Sequence, residues 1–256
     1  MAVQTFFNRS STVVTALFNG ASPEEITAKI HTAAAAGAEG IAVDLNKLPP
    51  EYRTKEVFSA LIAAAPLPFM FLCYRSCQWY GNDDAKRQEA LLTAAEAGAE
   101  VIDVMGDLYA PCANELTLDR EAVAKQHELI DMIHERKAKV LISSHMHNLP
   151  PMTAPEIIKA LGIQAERGAD ICKIVTCTDT EAGFLEAIKA DIYLAENFPK
   201  PFIHLSNGKF SKLHRFIGTK LGLAVTFGVT SYADPAYTQP LITSFKQVRD
   251  LIPWEL

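Results

Sequence analysis

The stretch GADICKIVTCTDT, residues 168–180, places Lys173 inside a run of apolar and β-branched residues. Such a run reads as a buried strand. Lysine is among the residues least often fully buried, because moving an ammonium group out of water is costly. Either the side chain carries its charge back to solvent, or its burial serves chemistry. Desolvation disfavours the charged form and lowers the pKa of a lysine. A neutral amine is a nucleophile that attacks a ketone or aldehyde and forms a Schiff base. The protonated imine then draws electrons from the adjacent carbon and acidifies its C–H bond. That chemistry needs a neighbour able to move protons near neutral pH. ISSHMHN, residues 142–148, offers His145 and His147, and histidine suits proton shuttling. An HxH pair can instead bind zinc or serve packing, but no third ligand stands at a suitable spacing.

The elements that must position these residues are legible as a repeated unit. GAEGIAVD from Gly37, GAEVIDVM from Gly98 and GADICKIV from Gly168 align without gaps. Each glycine follows an amphipathic, alanine-rich or charged stretch and suits a helix C-terminus that needs positive φ. Each apolar run that follows suits a strand. Further strands read as STVVTALF (11–18), PFMFLCY (68–74), KVLISS (139–144), PFIHLS (201–206) and AVTFG (224–228). Helix starts are marked by Ser22-Pro23-Glu24-Glu25 and Thr153-Ala154-Pro155-Glu156, both of capping-box form. Strands alternating with helices favour a parallel sheet. About eight such steps favour an α/β fold of the (β/α)8 barrel type, one domain over 1–256 with residues 1–10 as an N-terminal extension. Phe6 and Phe7 are expected to cover the bottom of the barrel.

In the aligned units Ala42, Asp103 and Lys173 share one position, and Asp44, Met105 and Val175 share the position two further on. Side chains alternate faces along a strand, so both sets point the same way. A lysine and an aspartate fit poorly against apolar helices. They fit better inside the barrel near its C-terminal rim, where barrel enzymes place their active sites. Cys172 and Cys177 read as core packing, and Lys209, Lys212 and Lys220 as a solvated face.

The 256 residues are 49% hydrophobic and 21% charged, enough for a sizeable core. A net charge of -6 suggests neither nucleic-acid nor anionic-membrane binding. The five cysteines are odd in number and form no CxxC pair, which argues against a disulfide framework or zinc ribbon and for a reducing cytoplasm. No apolar segment is long enough to span a bilayer, and MAVQTFFNRSSTVV does not read as a signal peptide. The absence of GxGxxG and Walker motifs weighs against a nucleotide fold.

Taken together, these segments resemble type I 3-dehydroquinate dehydratase, a Schiff-base barrel enzyme of the shikimate pathway. GADICKI looks like the family's lysine segment, with Lys173 as the Schiff-base lysine, and ISSH like its histidine segment, with His145 as the proton shuttle. YRS (74–76) is similar to the segment whose arginine contacts substrate, here Arg75. HRFIGTKLGLAVTFG resembles the late arginine segment, with Arg215 as the carboxylate-binding residue, and ADPAYTQ the closing loop, with Gln239 reaching substrate. The resemblance implies no metal or organic cofactor, a small-molecule ketone as partner, and a possible homodimer.

Departures from the family pattern cluster at recognition positions. Ala42, Asp44 and Asn46 stand where the family has Glu, Arg and Asp. Trp79-Tyr80-Gly81 replaces Glu-Gly-Gly, and Asp103-Val104-Met105 replaces Asp-x-Glu. The closing loop carries Asp234 and is one residue longer. Asp234 brings negative charge towards a substrate carboxylate, while Trp79, Tyr80 and Met105 add apolar or stacking surface. The expectation is a hydro-lyase whose covalent chemistry is kept and whose recognition is rebuilt. Its substrate is 3-dehydroquinate or a less anionic hydroxy ketone. Lys173 and His145 act catalytically, Arg75 and Arg215 orient anionic or hydroxyl groups, and Asp103 steers the amine or joins a buried polar network. A class I aldolase-type lyase on the same lysine and a non-catalytic ligand-binding barrel are the alternatives.

Overall fold

Eight segments of this chain are too apolar on both sides to face water, so they must be covered on both faces. The computed structural model, which describes residues 5–7, 11–77, 79–232 and 239–254, achieves this with a parallel barrel. The chain alternates β1 (Val13–Phe18), α1 (Pro23–Ala35), β2 (Gly40–Asp44), α2 (Lys55–Ala63), β3 (Phe69–Leu72), α3 (Asp84–Glu96), β4 (Val101–Met105) and α4 (Arg120–Glu135). It continues through β5 (Lys139–His145), α5 (Ala154–Glu166), β6 (Ile171–Cys177), α6 (Glu181–Asn197), β7 (Phe202–Asn207), α7 (Ser211–Gly218), β8 (Val225–Gly228) and α8 (Ile242–Leu251). Sheet order is β7-β6-β5-β4-β3-β2-β1-β8, all pairs parallel. At the β7–β8 seam the Ala224 N–H donates to Phe202 O at 2.9 Å, so the barrel is nearly closed.

The repeat glycines behave as their spacing requires. Gly37, Gly98 and Gly168 follow α1, α3 and α5 with φ of 86°, 102° and 101°, a region that side chains with a Cβ avoid. At the N-termini, the Ser22 side chain accepts from the Glu25 N–H, and Glu156 Oε2 accepts from the Thr153 N–H at 2.8 Å.

Two apolar layers result. One lies between barrel and helices; the other fills the barrel itself, where Val13, Val101, Leu141, Ile171, Ile203 and Val225 meet Phe6 at the lower end. Phe6 is held there by its N–H, which donates to Glu100 Oε1 at 3.1 Å. Among the three expected surface lysines, Lys209 is exposed and Lys212 half-buried, but Lys220 is buried and donates to Arg249 O at 2.8 Å. Its helical segment tucks against α8, which the local sequence does not reveal. Cys172 packs in the core, and Cys177 is half-buried near Asp179.

One polar cluster lies in the outer layer. His204 on β7 is bonded through Nδ1 to Asp191 Oδ1 (2.6 Å), and its Nε2 meets Thr176 Oγ1 (2.9 Å). His214 Nε2 lies 3.1 Å from Asp191 Oδ2. All of these side chains are buried, so the network ties α6, β7 and α7 together. Burial alone would raise the Asp191 carboxyl, but the two imidazoles outweigh it and hold it below the usual range. Burial lowers His214.

Both shifts have one sign: the unfolded chain takes up protons that the folded chain resists. Asp191→Ala would leave two imidazole donors unpaired and is expected to cost about 2–5 kcal/mol in urea unfolding. In the unaltered protein the urea midpoint should fall as pH drops from about 7 to about 5, through the unfolded histidine range.

Candidate active site

Lys173 and Asp103 occupy inward positions on β6 and β4, with Ser143 of β5 paired in register to Lys173. The alternation of faces therefore converges three polar side chains near the upper rim. Lys173 is 4% exposed and Asp103 2% exposed, so bulk water solvates neither charge. Lys173 Nζ donates to Asp103 Oδ2 at 3.2 Å and to Tyr74 Oη at 2.5 Å. The Tyr74 hydroxyl donates in turn to Asp103 Oδ2 (2.6 Å), and the Ser143 hydroxyl to Asp103 Oδ1 (2.5 Å). Burial, reinforced by the Asp103 charge, pushes the Tyr74 phenol well above its ordinary pKa, so it stays protonated. Lys173 thus has Asp103 as an anionic partner. From outside the barrel the Gln164 amide brackets the lysine backbone: Lys173 N–H donates to Gln164 Oε1 (2.8 Å), and Gln164 Nε2 donates to Lys173 O (2.9 Å).

His145 ends β5 on the same rim, with its ring edge-on to Tyr74 at 4.7 Å between centroids. Its Nδ1 is 2.8 Å from Glu115 Oε2, which also accepts from the His145 backbone N–H at 2.9 Å. The Glu115 contact assigns the ring proton to Nδ1 and leaves Nε2 for the pocket. Burial raises the Glu115 carboxyl, but its bonds to His145 prevail and hold it below the ordinary range.

Glu115 has φ of 46°, a left-handed conformation unusual for a residue with a side chain. Its surroundings enforce it. The Glu115 carbonyl accepts from Ser144 Oγ at 2.8 Å and passes so close to Gly106 that a Cβ there would meet it at 2.6 Å. Arg167 at the end of α5 donates to Gly106 O and Thr117 O, both at 2.6 Å, pinning both ends of the loop. The resulting strain lies where a site is built, as backbone outliers often do.

A cavity of about 180 Å³ opens over the lysine. Arg215 and Gln239 line it, as do His147 and Asn207, while Leu17, Leu72, Val175, Leu205 and Phe227 supply apolar wall. Arg215 is 3% exposed; its Nε donates to Ser206 O (3.0 Å), its Nη2 is 3.4 Å from Asn207 Oδ1, and its Nη1 has no partner among the described residues. Burial lowers this guanidinium to about 10. His147 is lowered by burial and by His145.

Other expected residues lie apart. Arg75 turns from the cavity: Nη1 donates to Asp107 Oδ1 (2.5 Å) and Nη2 to Asp107 O (2.7 Å), with Asp84 Oδ2 at 3.4 Å. The two aspartates on neighbouring segments outcompete the pocket for it, and it braces the Glu115 loop instead. Trp79 is 43% exposed and outside the cavity wall. Asp44, the last residue of β2, accepts from the Asn46 N–H (2.9 Å) and is not among the residues lining the cavity. Burial raises its carboxyl to about 6, with Cys77 and Asp103 adding to the effect. Asp234 lies outside the described residues. The His145–His147 pair belongs to no three-ligand cluster among the described residues; the group of that kind is Asp191, His204 and His214.

Sequence reasoning passed over Tyr74 and Glu115. Tyr74 stands two residues beyond Leu72, which pairs with Asp103, so the period of two points it inward and could have found it. Glu115 carries no such signal, because a loop conformation delivers it.

The model of the family described as "Type I 3-dehydroquinase" matches residues 16–253. The chain is 27% identical to 3-dehydroquinate dehydratase of Klebsiella pneumoniae (strain 342) over 256 residues, 96% of this chain and 95% of the relative. It is 29% identical to a catabolic 3-dehydroquinate dehydratase of Acinetobacter baylyi over 133 residues, 52% of this chain and 47% of that one. The crystal structure of the type I 3-dehydroquinate dehydratase of Clostridium difficile, bearing covalently modified comenic acid, superposes with a TM-score of 0.79. It is 20% identical and covers 95% of this chain and 93% of its own.

Carboxyl-selective NMR should show Asp44 titrating near 6, well above its ordinary range. Lys173→Met should move that midpoint further up, because the ammonium is among the influences holding it down. A midpoint near 4 in both proteins would mean the two side chains do not share a buried field.

Proposed function

The chain belongs to the type I 3-dehydroquinase family, and on that premise we propose that it removes water from a β-hydroxy ketone through an imine on Lys173. The observation that carries this reading is the enclosed Lys173–Asp103–Tyr74 contact beneath a cavity that also receives His145. The reaction is a carbon–oxygen elimination. The resting amine first gives up its proton along the hydrogen bonds to Asp103 Oδ2 or Tyr74 Oη. Its lone pair forms the C–N bond with the ketone carbon, and the carbonyl oxygen leaves as water after protonation. When the imine forms in its protonated state, Asp103 again faces a cation, now in the place of the ammonium.

The imine acidifies the adjacent C–H bond. His145 Nε2 takes that proton, and the electron pair forms an enamine. The enamine expels the β-hydroxyl, which leaves as water with the proton returned by His145. Glu115 at Nδ1 keeps the ring aimed and compensates the transient imidazolium. Hydrolysis of the remaining imine frees an enone and the lysine. No step calls on a metal or organic cofactor.

Recognition departs from that of a polyhydroxylated acid. Arg75 is engaged by Asp107, which leaves Arg215, whose Nη1 is unpaired among the described residues, as the arginine that they place at the cavity wall. Five apolar side chains form wall around it. This favours a hydroxy ketone with one anionic group and an otherwise less polar body, beside 3-dehydroquinate itself as the reference substrate.

Ultraviolet absorbance of the conjugated enone measures the reaction. Turnover of 3-dehydroquinate is expected to be slower than that of a less hydroxylated β-hydroxy keto acid, and an intact carbon skeleton in the product excludes an aldolase. His145→Ala should lower kcat by roughly 10²–10⁴-fold. Glu115→Gln keeps the shape and loses the charge, and should lower kcat by about 10-fold with KM nearly unchanged. Unchanged kcat in both variants would remove His145 from the proton transfers.

A further inference from the structure

Arg53 is a buried guanidinium, 6% exposed, that no carboxylate reaches among the described residues. Its Nε and Nη2 donate to Leu48 O (2.9 and 2.6 Å), and Nη2 also donates to Leu45 O (2.9 Å). These are neutral acceptors. What remains are two sulfurs and a ring: Cys77 Sγ at 3.2 Å from Nη2, Cys73 Sγ at 3.8 Å from Nη1, and the Tyr80 ring, whose centroid lies 4.2 Å from the guanidinium carbon. A buried charge without a counter-charge is costly. Within this nest Cys77 is the group that can become an anion at neutral pH while touching the cation.

We propose that Cys77 is a thiolate held by Arg53 and is a modification site for small peroxides, with Cys73 as its resolving thiol. The groups facing Cys77 agree. Interaction with Cys73 is the largest influence on it and lowers it, burial opposes, and Arg53 adds to the lowering; the result is a thiol drawn down to about 5. Cys73 is pushed far up, first by Cys77 and then by burial. Arg87 reaches Cys73 Sγ with Nη1 at 3.7 Å, but its charge is already paired through Nε with Asp84 Oδ1 at 3.2 Å. Asp44, on the far side, is raised partly by the Cys77 charge. Arg53 lies nearer Cys77 Sγ (3.2 Å) than Cys73 Sγ (3.8 Å), so the contact places the charge on Cys77 and leaves the proton to Cys73.

The chemistry balances in two steps. Cys77 sulfur attacks one oxygen of hydrogen peroxide, the S–O bond forms, the O–O bond breaks, and hydroxide leaves. Cys77 is oxidised to the sulfenic acid as the peroxide is reduced. Arg53 has then lost its anion, so its charge becomes available to Cys73. The Cys73 sulfur displaces the sulfenic hydroxyl, which leaves as water with the Cys73 proton, and a disulfide forms. Both sulfurs are buried, which excludes bulky alkylating reagents. The closed loop would contain Tyr74 and Arg75, so oxidation acts on the segment that holds the phenol against Lys173.

Thiolate ultraviolet absorbance tests the charge without any reagent entering the site. The unaltered protein should show a thiolate at pH 6.5 that is absent in Cys77→Ser, whereas an ordinary thiol is only about 1% ionised there. With limiting peroxide, oxidation should fall on Cys77 ahead of the more accessible Cys112 and Cys177. Its rate should stay nearly flat between pH 6 and 8, where an ordinary thiol gains roughly 50–100-fold. Trypsin cuts after Arg75, so the disulfide should appear as two peptides joined through Cys73 and Cys77. In Cys73→Ser the sulfenic acid should persist and be captured by dimedone. Arg53→Lys should retain the low-pH thiolate, and Arg53→Met should lose it. No Cys77-dependent absorbance at pH 6.5, or oxidation spread over Cys112 and Cys177 with Cys77 spared, would overturn the proposal.

Discussion

A single ammonium group enclosed by the barrel sets the terms for everything around it. Lys173 lies among Leu72, Val175 and Phe227, where an unpaired charge would be untenable. The answer is a carboxylate at 3.2 Å, itself bonded by a phenol and a hydroxyl, so that Asp103 has three donors and Lys173 two acceptors. Removing one member of a buried pair leaves the other stranded, at a cost of about 3–5 kcal/mol. The pair therefore holds β4 and β6 in fixed relation, and it leaves the amine facing the cavity. Its stability and its chemistry are two consequences of one contact.

The second requirement is a base kept aimed at the same cavity. His145 could rotate freely at the end of β5 were it not for Glu115, which holds both its ring and its backbone N–H. Glu115 in turn depends on a loop with a left-handed turn, a glycine that allows close approach, and two arginines. Arg167 fastens the ends of the loop, and Arg75 clamps its Asp107. Charged residues that seem destined for substrate are thus used to fix protein against protein. Among the described residues, the Arg215 guanidinium keeps Nη1 without a partner at the cavity wall.

Which of these features could be read in advance follows from their physical origin. Strand residues obey a period of two, and the three aligned glycine units fix their relative height. Those rules are enough to bring Lys173 and Asp103 to one level and one face, and the observed contact agrees. Helix ends were equally legible, because positive φ selects glycine at Gly37, Gly98 and Gly168. Loops follow no such period. The turning of Arg75 towards Asp107, the exposure of Trp79 and the arrival of Glu115 at His145 all depend on loop paths set by contacts distant in sequence. Lys220 shows the same limit: a lysine in the turn after a short helix is ordinarily solvated, and here it reaches the Arg249 carbonyl of α8 and is buried.

The central claim is that the Lys173 amine, released from its carboxylate and phenol partners, bonds covalently to a ketone. Incubating the protein with 3-dehydroquinate and, separately, with a less hydroxylated keto acid, then reducing with borohydride, makes the bond permanent. Peptide mass spectrometry should place the reduced adduct on Lys173 and on no other lysine. An intact, unmodified Lys173 after reduction with a ketone that is being turned over would contradict it.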